Sequence, residues 1–107
     1  MLLGDLRHLL TIQTDEGSAR NSVGERVESW QAWGQAWASI EPLTGREIED
    51  ALQIAPRVTT RVTLRYQAGI HAGMRLVRED GGILHVEAVL NEGMANDVLV
   101  LLAREAP

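Results

Sequence analysis

The chain has 107 residues and contains no cysteine, no lysine and no phenylalanine. Without cysteine it has no disulfide, no thiolate metal site and no thiol nucleophile. Without lysine, Schiff-base chemistry is excluded, and all ten basic residues are arginine. Three Trp and one Tyr are the only aromatics, so the core must be built from Leu, Val, Ile and Ala. The longest apolar run goes only from Val98 to Ala103, far short of the ~20 residues that span a bilayer. The start, Met1-Leu2-Leu3-Gly4-Asp5-Leu6-Arg7, meets charge at once and lacks the form of a signal peptide. A cytoplasmic protein with no membrane association is expected.

A basic surplus is also missing. The formal net charge is −5, whereas proteins that grip a nucleic-acid backbone neutralise phosphates with excess Lys and Arg. Neither the Gly-x-Ser-x-Gly elbow nor a Gly-x-x-x-x-Gly-Lys phosphate loop occurs. His8, His71 and His85 are far apart and form no HxH or HxxxH pair, so they read as structural residues rather than ligands. No cofactor, metal or catalytic group is expected, and an enzyme is the least supported class.

What is present is strand pattern. In Arg7–Thr14, Leu10 and Ile12 share a face with Leu6, although Leu9 breaks the alternation. Residues 15–29 are rich in Asp, Ser, Asn and Gly and read as a long hairpin connection. Trp30–Ile40 returns as a strand holding Trp30, Trp33 and Trp37, and Gly34 marks a bulge or bend. Trp37, inside Ala-Trp-Ala, is assigned to the core; the tryptophans read alternatively as interface anchors.

Pro42 then stops the strand, and Thr44-Gly45-Arg46-Glu47 has the form of a capping box. Ile48, Ala51, Leu52 and Ala55 follow at helical spacing, and Pro56 ends the run. Two helical turns are marginal alone, so this helix must pack on the scaffold or on a neighbouring subunit. Glu47, Glu49 and Asp50 complement the helix dipole, and as an interaction surface they are more credible than as an acid pair.

Thr60–Tyr66 alternates cleanly, with Val62, Leu64 and Tyr66 on one face and Arg61, Thr63 and Arg65 on the other. Arg57, Arg61 and Arg65 recur every four residues. On a strand they share a face, either a solubilising one or a row that pairs with acids across a subunit interface. Met74–Arg78 is a short strand, and Asp80-Gly81 signals a hairpin into Ile83–Leu90, with Leu84, Val86, Ala88 and Leu90 on one face. Val98–Ala103 is apolar on both faces and should be covered on both. The expected architecture is mainly β: one domain over residues 1–107, a small antiparallel barrel or sandwich of about six strands, with one short helix in a long inserted loop.

These segments together resemble a known family. Gly4-Asp5-Leu6-Arg7-His8-Leu9-Leu10-Thr11-Ile12-Gln13 is similar to its opening G-x-L-(R/D)-x-R-(I/V)-x-I-Q. Gly24 followed by Ser29-Trp30 is similar to the end of its first loop. Ala36–Glu47 resembles v-W-A-x-I-x-P-L-x-G-x-E, and Arg65-Tyr66 with Gly69-Ile70 resembles R-Y-x-x-G-I. Asp80-Gly81 with Val86–Val89 resembles D-G-x-x-(Y/F)-x-I-x-x-V. The order and spacing are those of the head–tail joining, or head-completion, proteins of tailed bacteriophages and prophages. Leu9 stands where arginine is common, and His85 where an aromatic is common.

The resemblance implies a homo-oligomeric ring beneath the portal; loops that order on docking would keep free subunits monomeric. The ring closes the DNA-filled head and receives the tail. It implies as partners the portal or adaptor protein, a tail terminator or tail protein, and genomic DNA that passes through without specific binding. The location implied is the virion neck, with host cytoplasm during assembly. The polar loops at 15–29 and 43–57 would reach the channel or neighbouring subunits. The interaction residues expected are therefore Arg20, Glu25, Thr44, Arg46, Glu47, Glu49, Asp50 and Arg57, with Arg61 and Arg65 on the adjoining strand. The rival readings are a tail-side ring protein and a small nucleic-acid-binding barrel. Acidity and a lack of exposed-looking aromatics count against the second.

Overall fold

The computed structural model describes residues 6–15, 24, 29–54, 57–91 and 97–105. Strands β1 (His8–Asp15), β2 (Trp30–Pro42), β3 (Thr60–Arg65), β4 (Arg75–Val77), β5 (Ile83–Asn91) and β6 (Val98–Glu105) surround one core, and helix α1 (Arg46–Ile54) lies between β2 and β3 in sequence. The strands close into an antiparallel barrel in the order β1-β2-β3-β6-β5-β4. Closure removes both sheet edges, which a chain without covalent staples would otherwise have to protect.

Alternation places the interior. Leu10 and Ile12 of β1, Val62 and Leu64 of β3, Leu76 of β4 and Leu84 and Val86 of β5 are buried in one cluster with Leu99, Leu101 and Ala103 of β6. Ala36 and Ala38 point the same way from β2. Beyond its bulge, β5 shows its other parity to the interior through Val89.

Strand β6 is apolar on both faces because both are covered, as its sequence requires. Its other parity, Val100 and Leu102, packs in a second cluster with Leu43, Ala51 of the helix and Val58, joined by Ala88 and Leu90 of β5. The helix thus lies outside the barrel, with Ala51 in the cluster that covers the outer face of β6. Ala51, the buried residue of α1, allows close approach there.

Two bulges set the faces. On β2, Ile12 pairs with Gly34 but Gln13 with Ala32, so Trp33 is the extra residue. This bears out the irregularity read at Gly34. On β5, Val86 pairs with Ala103 but Ala88 with Leu102, so Glu87 is extra. The sequence reading put Leu84, Val86, Ala88 and Leu90 on one face. The bulge corrects this: Leu84 and Val86 enter the barrel, while Ala88 and Leu90 turn outward to the helix layer. One extra residue inverts the parity of everything after it.

The turns follow their sequences. Gly81, at φ 91°, completes the β4–β5 hairpin, with its N–H donating to the Arg78 carbonyl at 3.0 Å. The β1–β2 hairpin forms as expected, with Asp15 opposite Trp30, and most of its connection lies outside the described residues. Among the described residues no helix is long and apolar enough to cross a membrane.

Candidate functional site

Three of the expected interaction residues meet at the start of α1. Glu41 of β2 lies directly across the ladder from Arg61 of β3. The Arg61 guanidinium donates from Nη2 to Glu41 Oε2 at 2.9 Å and from Nη1 to Glu47 Oε2. The Thr44 hydroxyl donates to the other oxygen of Glu47 at 3.3 Å. An arginine fork matched to two carboxylates clamps the first helical turn onto the barrel wall. All of these side chains are partly exposed, so the clamp orients the helix more than it stabilises the fold.

This geometry corrects the capping box. Helix α1 begins at Arg46, and the Glu47 N–H donates to the Thr44 carbonyl at 3.0 Å rather than to its hydroxyl. Gly45, at φ 50°, turns the chain between them. The Glu47 carboxylate accepts from Arg61 and from the Thr44 hydroxyl rather than from a backbone N–H before the helix.

The arginine row is also corrected. Arg61 and Arg65 share the outward face of β3, but Arg57 sits in the preceding turn at φ 71° and belongs to no strand. Arg46, Glu49 and Asp50 are exposed around α1. Arg20 and Glu25 lie outside the described residues.

Hydrophobic side chains form the part of the surface that sequence reasoning assigned elsewhere. On α1, only Ala51 is buried; Ile48 and Leu52, spaced i and i+4, are exposed, Leu52 by 50%. The apolar stripe expected to bury itself is therefore only partly used. Trp37, expected in the core, is 54% exposed, and Trp33 is 41% exposed. The reason is steric. The narrow barrel takes Ala36 and Ala38 inward from β2, and alternation sends the intervening tryptophan out. The signal was in the small residues that flank Trp37. Tyr66, expected to follow Val62 and Leu64 inward, lies beyond the end of β3 and is exposed as well.

Trp37 also borders a surface cleft of about 630 Å³, together with Leu6, Gln35, Ala36, Arg65 and Gln67. The buried Oε1 of Gln67 has no hydrogen-bond partner among the described residues.

The third tryptophan is engaged within the fold. The Arg75 guanidinium stacks 4.4 Å from the Trp30 ring centroid, and His85 meets that ring edge-on at 6.3 Å. His71 Nδ1 is 2.8 Å from the carbonyl of Ala72. Among the described residues no group of His, Asp or Glu gathers as a metal site.

Comparison with known proteins agrees with the barrel. The chain is similar to protein SF1141 from Shigella flexneri 2a, known in solution, with 29% identity and a TM-score of 0.76 over 99% of this chain and 97% of that one. It shares its fold with a chain from the virion of a native gene transfer agent particle, with 18% identity and a TM-score of 0.60 over 94% of this chain and 96% of the other. No curated protein matches it. The model of the phage head completion protein family matches residues 1–106, and the chain belongs to that family.

Proposed function

We infer that this chain is a structural protein of the neck of a tailed phage or prophage. As a single domain, it forms a homo-oligomeric ring beneath the portal, closes the DNA-filled head and offers the surface to which the tail attaches. The observation that carries this reading is the family match over residues 1–106. The architecture supports it: a closed barrel clamps a short helix on its outside, and the apolar side chains of that helix stay uncovered. The surface displays contact residues for protein partners. Among these, Thr44, Arg46, Glu47, Glu49 and Asp50 at the helix and Arg57, Arg61 and Arg65 beside it serve portal or subunit contacts.

The nucleic-acid-binding reading changes footing. Its weakness was partly a lack of exposed aromatics, yet Trp33, Trp37 and Tyr66 are exposed. Net charge −5 still opposes tight binding to phosphate. For a ring around packaged DNA, weak binding is an advantage, because a channel that gripped the genome would hinder its exit.

Complementation tests the function. A phage lacking this gene should yield heads that package DNA and then lose it, with free tails; supplying the chain should restore DNA-retaining, tailed particles. If heads without the protein keep their genome and carry tails, the head-completion reading is wrong. Deleting residues 44–55 is a poor substitute for that test. Ala51 lies in this stretch and belongs to the buried cluster that includes Val100 and Leu102, so the deletion would open the cluster on the outer face of β6.

A further inference from the structure

We propose that the cleft beside Trp37 is the receptor for helix α1 of a second copy of this chain, so that neighbouring subunits join helix to cleft around the ring. The inference rests on the ring reading above and specifies which surfaces meet.

Among the described residues, two exposed apolar surfaces have opposite character. One is convex: Ile48 and Leu52 project from α1, with Glu49 beside them on the exposed side of the helix. The other is concave, the cleft bordered by Trp37, Ala36, Leu6 and Arg65. Charge matches the shapes. Of the strand arginines, Arg61 is held by Glu41 and Glu47, Arg104 by Glu87, and Arg75 by Gln13 and the Trp30 ring. Arg65 is exposed and has no ion-pair partner among the described residues. Glu49 has none either. A carboxylate beside an aliphatic ridge therefore answers an arginine beside an aromatic cleft.

The clamp at the start of α1 keeps the helix in place on its own chain. Ala51 of α1 joins the outer cluster with Val100 and Leu102 of β6, and Glu47 is tied to Arg61 of β3. Arg61, held by Glu41 and Glu47, pins the first turn of α1 in place, so Ile48 and Leu52 are displayed outward rather than folded into the cleft of their own chain. A ridge on one copy and a cleft on the next make a head-to-tail contact, which closes into a ring when the rotation between copies permits. A reciprocal two-fold pairing of the same surfaces would stop at a dimer, which the test below tells from a ladder.

The absence of cysteine supplies the test. Leu52→Cys and Gln35→Cys each place one thiol, on the ridge and at the cleft. Particles assembled with the double variant are oxidised and their protein run without reductant. Helix-to-cleft packing gives a ladder of disulfide-linked multimers, while particles with Leu52→Cys alone give monomer. DNA-retaining particles that yield only monomer from the double variant, or dimers from Leu52→Cys alone, overturn the interface and leave the head-completion reading standing.

A charge exchange reads the same contact without thiols. Arg65→Glu should lower the yield of DNA-retaining particles by about tenfold or more, and adding Glu49→Arg should recover most of it. If the second substitution lowers the yield further, the pairing is wrong.

Discussion

Arg61 and Glu47 join helix to barrel through a guanidinium–carboxylate contact that bridges 14 residues of sequence. Arg61 is at the same time the cross-strand partner of Glu41, so one side chain fixes the β2–β3 ladder and the orientation of α1. The side chains of Arg61 and Glu47 are 35% and 41% exposed. A double-mutant cycle with Arg61→Met and Glu47→Gln should give a coupling of about 0.5–1 kcal/mol. That coupling should shrink in ~1 M salt, where the Debye length falls to ~3 Å. Urea denaturation at two salt concentrations measures both.

Gly69 supports Trp33. Its φ is 97°, and a Cβ at this position would stand 2.9 Å from Cζ2 of the indole. Gly69→Ala therefore combines backbone strain with displacement of the ring, and should cost about 1–3 kcal/mol. Gly81→Ala meets the same kind of φ, 91°, but has open space around it, so it should cost less. Equal losses from the two in chemical denaturation would mean that the Trp33 contact adds nothing.

Ala51 fastens the helix, so Ala51→Asp should detach it. The substitution places a charge in the buried cluster of Leu43, Val58, Val100 and Leu102. The nine residues of α1 cannot stay helical on their own. Circular dichroism should lose its helical component and keep its strand component. Leu101→Ala acts on the opposite face of the same strand, inside the barrel, and should cost about 2–5 kcal/mol in global stability.

The tryptophans should separate by fluorescence. Trp37 is more exposed than Trp33, and Trp30 is partly covered by Arg75 and His85. Trp37→Leu should remove the most red-shifted and most acrylamide-accessible part of the emission. Emission whose accessibility is unchanged by that substitution would place Trp37 inside. Arg75→Ala should expose Trp30 to quencher and cost about 0.5–1 kcal/mol.

How far the sequence carries can be followed along β2. The small residues at 36 and 38 and the glycine at 34 announce a strand that bends around a tight interior, and Pro42 and Thr44 announce the turn into a helix. The family resemblance was equally legible, because it lies in the order of short motifs along the chain. The assignment of Trp37 to the core failed because size was weighed before parity. The assignment of Ala88 and Leu90 failed because nothing in the residue pattern of β5 marks Glu87 as an extra residue.

The sequence alone determined what is local: six alternating stretches, a short helix with acids at its start, turn glycines, and a β6 segment too apolar to have a wet face. Tertiary structure alone decided which parity each strand shows to the interior after a bulge. It also decided which carboxylates Arg61 holds, and that Ile48, Leu52 and Trp37 remain outside. The physical reason is that strand closure is a global condition. A barrel of this size admits a fixed volume of side chain, and any apolar residue beyond that volume must be covered by the helix layer or left for a partner.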